Sequence, residues 1–388
     1  MLAKSPLPLL SIALCVALSA CGKKEETAST QTAAPGAAPV EVVKIGSVSP
    51  LTGPQSHLGK DNDNGARLAL DELNAEGPVI GGKKIKFEML SEDDQADPKS
   101  ATVVAQKLVD EGVKGVIGHL NSGTTIPASK IYSDAGIAQI SPSATAVAYT
   151  AQGFKTAFRV MTNDGQQGKV LGEFAVNKLG AKRIAIIDDR TAYGQGLADE
   201  VEKSAAAAGA QIVTRQFTTD RSTDFMAILT AIKAEKPDLI FYGGMDPQAA
   251  PMVKQMKTLG IKANFLGGDG VQQADFPKLA GADGEGVYAS SPGLPLDDMP
   301  GGKAFTDKFT AKYGRIQLYA PYAYDAAMTL AAAMKQADST DPAKYLPALA
   351  AIHHPGVTGT ISFDEKGDIK DAAVTLYRVE HGAWVPVR

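Results

Sequence analysis

The chain has 388 residues, 44% of them hydrophobic and 21% charged, with a formal net charge of −4. That length exceeds what one hydrophobic core usually supports and fits two lobes of ordinary size. The slightly acidic balance gives no electrostatic footprint for nucleic acid, and 39 glycines suit many tight strand–helix turns.

Met1–Cys21 reads as an export address. Lys4 supplies a basic start, and Leu7–Leu18 is an apolar stretch too short for a comfortable membrane span. Leu18-Ser19-Ala20-Cys21 resembles a bacterial lipobox, in which cleavage precedes a cysteine that then carries acyl chains. Ordinary secretory cleavage prefers a small residue where Leu18 stands. Residues 1–20 are therefore expected to be a lipoprotein signal peptide, with lipidation at Cys21 and residues 21–40 as a flexible tether. Gly22–Pro39 is polar, small and proline-bearing, as a tether requires. Of the 2 cysteines, Cys15 falls in the signal, so the mature fold would hold no disulfide, thiolate metal site or cysteine nucleophile.

Beyond the tether, strand and helix patterns alternate. Val42–Val48 reads as a strand, Asn62–Glu76 as an amphipathic helix, Ile85–Leu90 as a strand and Ser100–Glu111 as a helix. Val116–Leu120 is a short apolar run that ends in Asn121-Ser122-Gly123-Thr124-Thr125, and a helix over Thr124–Asp134 follows. Ala138–Ile140 then runs into Ser141-Pro142-Ser143-Ala144-Thr145. Small hydroxyl residues thus gather at the carboxyl ends of two successive strands, the edge at which open α/β sheets bind ligands. A helix N-terminus with nearby hydroxyls suits a carboxylate, although the same residues are also ordinary helix caps.

Helix Gln167–Leu179 restarts the pattern, followed by strand Arg183–Ile187, helix Gly194–Ala208, strand Gln211–Phe217 and helix Phe225–Glu235. Strand Leu239–Tyr242, helix Gln248–Leu259 and strand Asn264–Leu266 complete that run. Lys303–Ala351 is mostly helical, and Thr358–Phe363 and Val374–Val379 are late strands. Repeated βα units demand helix-covered parallel sheets. The expected fold is α/β, with two doubly wound parallel-sheet lobes joined by hinge crossovers. Residues 41–160 and 291–375 form the first expected lobe, and residues 161–290 and 376–388 the second. The expected hinges are Phe158–Asp164, Ala289–Gly293 and Leu376–Arg378.

Enzyme motifs fail on inspection. Gly77–Lys84 imitates a phosphate loop, but it carries Lys84 where a hydroxyl is needed and leads into a strand. Gly194–Gly196 opens a helix, but Asp199 occupies the third glycine position of a dinucleotide fingerprint. His353-His354 precedes Pro355-Gly356 and reads as a loop pair. Asp188-Asp189 and Glu92-Asp93-Asp94 could hold a cation but fit turns and caps better. No catalytic residue, metal or cofactor is expected.

SPLTGP at Ser49–Pro54, GARLALDELNAEG at Gly65–Gly77 and VIGHLNSGTTIPASKIY at Val116–Tyr132 together resemble a known family. TAYGQGLA at Thr191–Ala198, FYGGMDP at Phe241–Pro247 and FDEKGD at Phe363–Asp368 extend the match in order. The chain is similar to the leucine/isoleucine/valine-binding proteins, type I periplasmic receptors of branched-chain amino-acid ABC importers. The resemblance implies that Ser122 binds a ligand α-carboxylate and that Thr145 contacts both carboxylate and ammonium. It further implies that Ser143 contributes its carbonyl, Tyr193 closes over the ligand, and Asp269 stands where a glutamate accepts the ammonium. Leu58 and Met245 would line the side-chain pocket, where better-known members carry tyrosines. Positions Gln95 and Asn121 lack the disulfide those members have there.

The implied activity is capture of an apolar amino acid and its delivery to the transmembrane subunits of an ABC permease. The receptor would be a lipid-anchored monomer on the periplasmic side of a bacterial membrane. A ligand-sensing receptor, or an importer receptor for amides, urea or aromatic amino acids, shares the same pattern.

Overall fold

The structure is a computed structural model that describes residues 40–387. The expected signal peptide, Cys21 and nearly all of the expected tether lie outside the described residues. Among those described, no helix is long and apolar enough to cross a membrane.

The first lobe is built on strands β1 (Val40–Ser49), β2 (Val79–Ile80), β3 (Lys83–Asp93), β4 (Val116–Gly118), β5 (Gln139–Ser141) and β6 (Ala157–Arg159). They lie in the order β2-β3-β1-β4-β5-β6. All neighbours are parallel except the small β2–β3 hairpin. Helices α1 (Ser56–Glu76), α2 (Pro98–Asp110), α3 (Ser122–Asp134) and α4 (Ala148–Ala151) connect them.

The second lobe contains β7 (Arg183–Asp188), β8 (Gln211–Phe217), β9 (Leu239–Gly243), β10 (Asn264–Gly267) and β11 (Tyr288–Pro292). Its helices are α5 (Asp164–Asn177), α6 (Ala192–Ala207), α7 (Met226–Ala234), α8 (Asp246–Thr258) and α9 (Phe276–Ala280). The chain then returns through α10 (Gly302–Tyr313), α11 (Ala320–Gln336), α12 (Pro342–Ala350) and a two-stranded ribbon, β12 (His354–Pro355) with β13 (Thr360–Ile361). Strands β14 (Val374–Glu380) and β15 (Ala383–Pro386) rejoin the second sheet, whose order is β15-β14-β11-β10-β9-β7-β8.

These last two strands pair antiparallel, so the second sheet is mixed rather than wholly parallel. Because Leu376 is already paired with Ser290 in that sheet, the third passage between sheets runs through residues 362–373, ahead of β14.

Two strand orders reverse direction, between β1 and β4 and between β7 and β9. At such points the two flanking connections leave toward opposite sides, and a crevice opens at the strand carboxyl ends. The residues after β4 and β9 are Ser122 and Met245 with their neighbours, so sheet topology alone delivers the candidate site. One buried apolar cluster runs across this crevice, with Leu58, Leu120 and Tyr319 on one side and Tyr193 and Met245 on the other.

Local chemistry fixes the helices. Asp97 accepts from the N–H of Lys99 and Ser100 at the start of α2, Asn163 caps α5 through Gln166, and Thr191 caps α6 through Gly194. Helix α1 packs so closely on α11 that a Cβ on Gly65 would lie 2.2 Å from the carbonyl oxygen of Ala320. That contact needs glycine. Helix α1 also begins at Ser56, well before the expected Asn62. Its first turn is too polar to be read as amphipathic and is held by tertiary contacts, described below.

Candidate functional site

Helix α3 begins at Ser122 without a side-chain cap, and while the N–H groups of Thr124 and Thr125 bond to the Asn121 carbonyl, those of Ser122 and Gly123 are open to an anion. Ser122 is buried and its Oγ accepts from the N–H of Ala146 at 3.1 Å, so its own proton is free to be donated. This bond ties the turn after β4 to the turn after β5, which brings Ser122 beside Thr145. Ser143 is buried between them and donates to the Leu120 carbonyl at 3.1 Å while accepting from Asn62 Nδ2 at 3.1 Å. Its hydroxyl is thereby committed.

Thr145 is fully buried and its Oγ1 has no protein partner. The loop that carries it is clamped by Arg159, whose Nη1 donates to the carbonyls of Ala144 and Ala146, both at 2.9 Å. Arg159 is itself fully buried and pairs with Asp368, with Nε at 3.0 Å from Oδ1. The late FDEKGD turn therefore positions a residue more than two hundred places earlier in the chain, and no local pattern reveals that.

Across the crevice stands Asp269, at the end of β10 and almost wholly buried. Its Oδ1 accepts from Gln167 Nε2 and Tyr193 Oη, and its Oδ2 from Tyr319 Oη, each at 2.8 Å. Burial pushes the Asp269 carboxyl up, and the bonds from Gln167, Tyr319 and Tyr193 pull against that. Burial raises both phenols well above their ordinary range, so they remain protonated donors. Tyr193 Oη also accepts from the N–H of Gly270 at 2.9 Å.

Tyr319 belongs to the segment leading into α11, a first-lobe helix packed on α1, so its bond to Asp269 spans the cleft. Asp61 holds that segment in place. Its carboxylate accepts from the N–H groups of Gln317, Leu318, Tyr319 and Ala320 at 2.8–3.0 Å.

Asp164, the first residue of α5, enters the sequence reading only as the end of the expected hinge Phe158–Asp164. It is buried, its N–H donates to the Thr145 carbonyl at 2.8 Å, and neither carboxylate oxygen has a protein partner. Burial pushes its pKa up to about 8; Thr145 opposes the rise and the charge of Asp269 adds to it. Thr145 Oγ1 neighbours this carboxylate without the geometry of a formed hydrogen bond. Two buried acids thus face a buried hydroxyl and a helix N-terminus, an arrangement that is costly unless a cation joins it.

Leu58 is fully buried on α1 and Met245 nearly so at the start of α8, both in the cluster that crosses the cleft. A Cβ on Gly270 would lie 2.8 Å from Met245 Sδ, so glycine there makes room for the thioether. All seven sequence-predicted site residues therefore gather at one crevice. Tyr319, Gln167 and Asp164 join them without a prior signal beyond their polarity.

The acidic runs have local roles. Asp93 accepts from the N–H of Leu51 and Gln95, and Asp94 Oδ2 lies 2.8 Å from His119 Nδ1. Asp188 pairs with Arg215 at 3.0 Å, and Asp189 accepts from Thr191.

Two sheets whose switch points face each other across a cleft lined by buried hydroxyls and buried acids define a two-lobed solute-binding protein. The chain belongs to the periplasmic binding protein family, whose model matches residues 42–383. It is 36% identical over 338 residues to a leucine-, isoleucine-, valine-, threonine- and alanine-binding protein of Pseudomonas aeruginosa, covering 87% of this chain and 90% of that one. It is 34% identical over 331 residues to the Leu/Ile/Val-binding protein of Escherichia coli K12, covering 85% and 89%.

Among solved structures, a leucine-binding protein of Thermotoga maritima superposes with a TM-score of 0.82 at 27% identity, covering 89% of this chain and 98% of that one. A branched-chain amino acid transporter substrate-binding protein of Streptococcus pneumoniae, in complex with isoleucine, gives 0.79 at 29% identity, covering 89% and 100%.

Proposed function

We propose that this protein is an extracytoplasmic receptor that traps an α-amino acid with an apolar, branched side chain and presents it to an ABC importer. The observation that carries the reading is the charge layout of the crevice. Ser122, the start of α3 and Thr145 offer donors to a carboxylate, while Asp164 and Asp269 offer two buried acids to an ammonium. A zwitterion joins both halves, because charge-assisted hydrogen bonds are the strong ones. Leu58 and Met245 supply apolar walls, and the thioether adapts to more than one side-chain shape. The names of the relatives from Pseudomonas aeruginosa and Escherichia coli support the same ligand class.

The work is capture and release without a covalent step. The lobes in this proposal keep the expected division except at two edges, where β11 through Pro292 and β14 from Val374 stay with the second sheet, and they move about the three passages between sheets. Acylation of Cys21 anchors the receptor as a monomer on the periplasmic face, with residues 21–40 as the tether. Ser143 adds a carbonyl to the ligand shell, and Tyr193 and Tyr319 hold Asp269 in position.

The test is a thermal-shift comparison of leucine, isoleucine and valine with isocaproate, which is leucine without its amino group. The amino acids should stabilise the protein, and isocaproate should bind at least about tenfold more weakly. Equal stabilisation by isocaproate would remove the ammonium site from the account, and stabilisation by amides or urea alone would remove the amino acid.

A further inference from the structure

His57 lies in the first turn of α1, a first-lobe helix, and Asp246 is the first residue of α8 in the second lobe. His57 Nε2 is 3.1 Å from one Asp246 oxygen and 3.3 Å from the other. The His57 side chain is 22% exposed and that of Asp246 is fully buried, so the contact sits at the mouth of the cleft. It bridges the two lobes directly and exists only while they are together. We propose that His57 and Asp246 form a proton-loaded latch, so that closure of the lobes is coupled to uptake of a proton.

The surroundings favour the charged imidazole. Asp275 faces His57 from the second lobe, while Lys254 and Lys278 line the same groove and work against it. Arg315 lies 3.6 Å from Asp275 and Gln317 donates to it at 3.1 Å, which adds a second bridge beside the first. On its own helix, Lys60 is exposed, and Asp61 is committed to the backbone before α11. Burial pulls His57 down, but the bond to Asp246 and the charges of Asp246 and Asp275 more than offset it, leaving its pKa raised.

When the lobes separate, Asp246 no longer faces His57 and the imidazole returns to its ordinary range near 6.5. The closed state therefore binds the proton more tightly. Its extra stability is fully present below that ordinary value and is lost as pH rises through the raised closed-state value. A ligand that needs closure inherits the dependence, since it can shift the equilibrium only through its preference for the closed form.

This inference rests on the receptor reading only in its choice of ligand, so the experiment has two arms. In the first, leucine binding is measured by calorimetry between about pH 6 and pH 9, starting below the ordinary imidazole value, for the parent and His57→Gln. Asp164 also titrates there, but it contributes equally to both proteins and cancels in the ratio of their affinities. The parent should bind about fivefold more tightly than the variant at the acidic end, with the ratio falling to about one at the alkaline end. Asp246→Asn should reproduce the loss, which guards against a fold defect particular to one variant. A ratio that stays constant with pH overturns the proposal.

The second arm needs no ligand. Small-angle scattering of the unliganded parent should show a more compact particle at the acidic end, and His57→Gln should not. If leucine fails to bind, the receptor reading loses its ligand and this arm still decides. Equal compactness of parent and variant at every pH overturns the latch.

Discussion

At the residue scale the molecule keeps two acids where a protein would rather keep none. Asp269 is satisfied by three neutral donors, whereas Asp164 is left bare. Replacing Asp269 with Asn should weaken leucine binding by about ten- to a hundredfold, as expected for one or two charge-assisted bonds, with the fold intact by circular dichroism. Asp164→Asn should separate function from stability. Because burial raises its pKa to about 8, the Asp164 carboxyl holds its proton more tightly when folded. Its destabilising contribution therefore sets in above the ordinary carboxylate value, near 4, and is complete above about 8. Asp164→Asn should thus raise the unfolding free energy of the ligand-free protein at alkaline pH by on the order of 1–2 kcal/mol, while weakening leucine binding. Urea denaturation checks the first effect and calorimetry the second; loss of stability would show that Asp164 is already paired.

At the element scale the site is rigid because distant segments clamp it. Arg159 and Asp368 hold the loop around Thr145, and Asp61 holds the segment that carries Tyr319. Asp368→Ala leaves a buried guanidinium without its counter-ion, which should cost about 3–5 kcal/mol. The urea midpoint should fall by the corresponding amount and leucine affinity should fall with it; an unchanged midpoint would contradict the clamp. These clamps also explain what the sequence did and did not reveal. Strands and helices of the βα units were legible because their apolar periodicity is local. Ser122 and Thr145 were legible as hydroxyls at strand ends, and the family resemblance assigned their roles, together with those of Tyr193 and Asp269. The first turn of α1 was not legible, since Leu58, Gly59 and Asp61 are held by residues before and far beyond it. Strand β6 is three residues long, and β11 ends in Ser-Ser-Pro, so neither shows a pattern apart from its neighbours. Tyr319 reads as part of a mostly helical stretch and Asp164 as the end of a hinge, because only the meeting of two lobes makes them site residues.

At the scale of the whole molecule, three passages between two sheets permit one lobe to close on the other. Contacts from both lobes to one ligand favour the closed state. Scattering with saturating leucine should therefore show compaction relative to the ligand-free protein at the same pH, and identical profiles would argue for a site on one lobe. Intact-mass measurement of membrane-extracted protein should show acyl chains on Cys21, since several chains are needed for firm anchoring. An unmodified mature chain in the soluble fraction would contradict the anchor. In the proposed receptor, opposed donors and acids hold a zwitterion in the cleft. Calorimetry of leucine against the parent and against Asp269→Asn tests it most directly. One leucine should bind per chain, with affinity reduced at least about tenfold in the variant. Equal affinity in the two proteins, or no heat with any branched-chain amino acid, would contradict it.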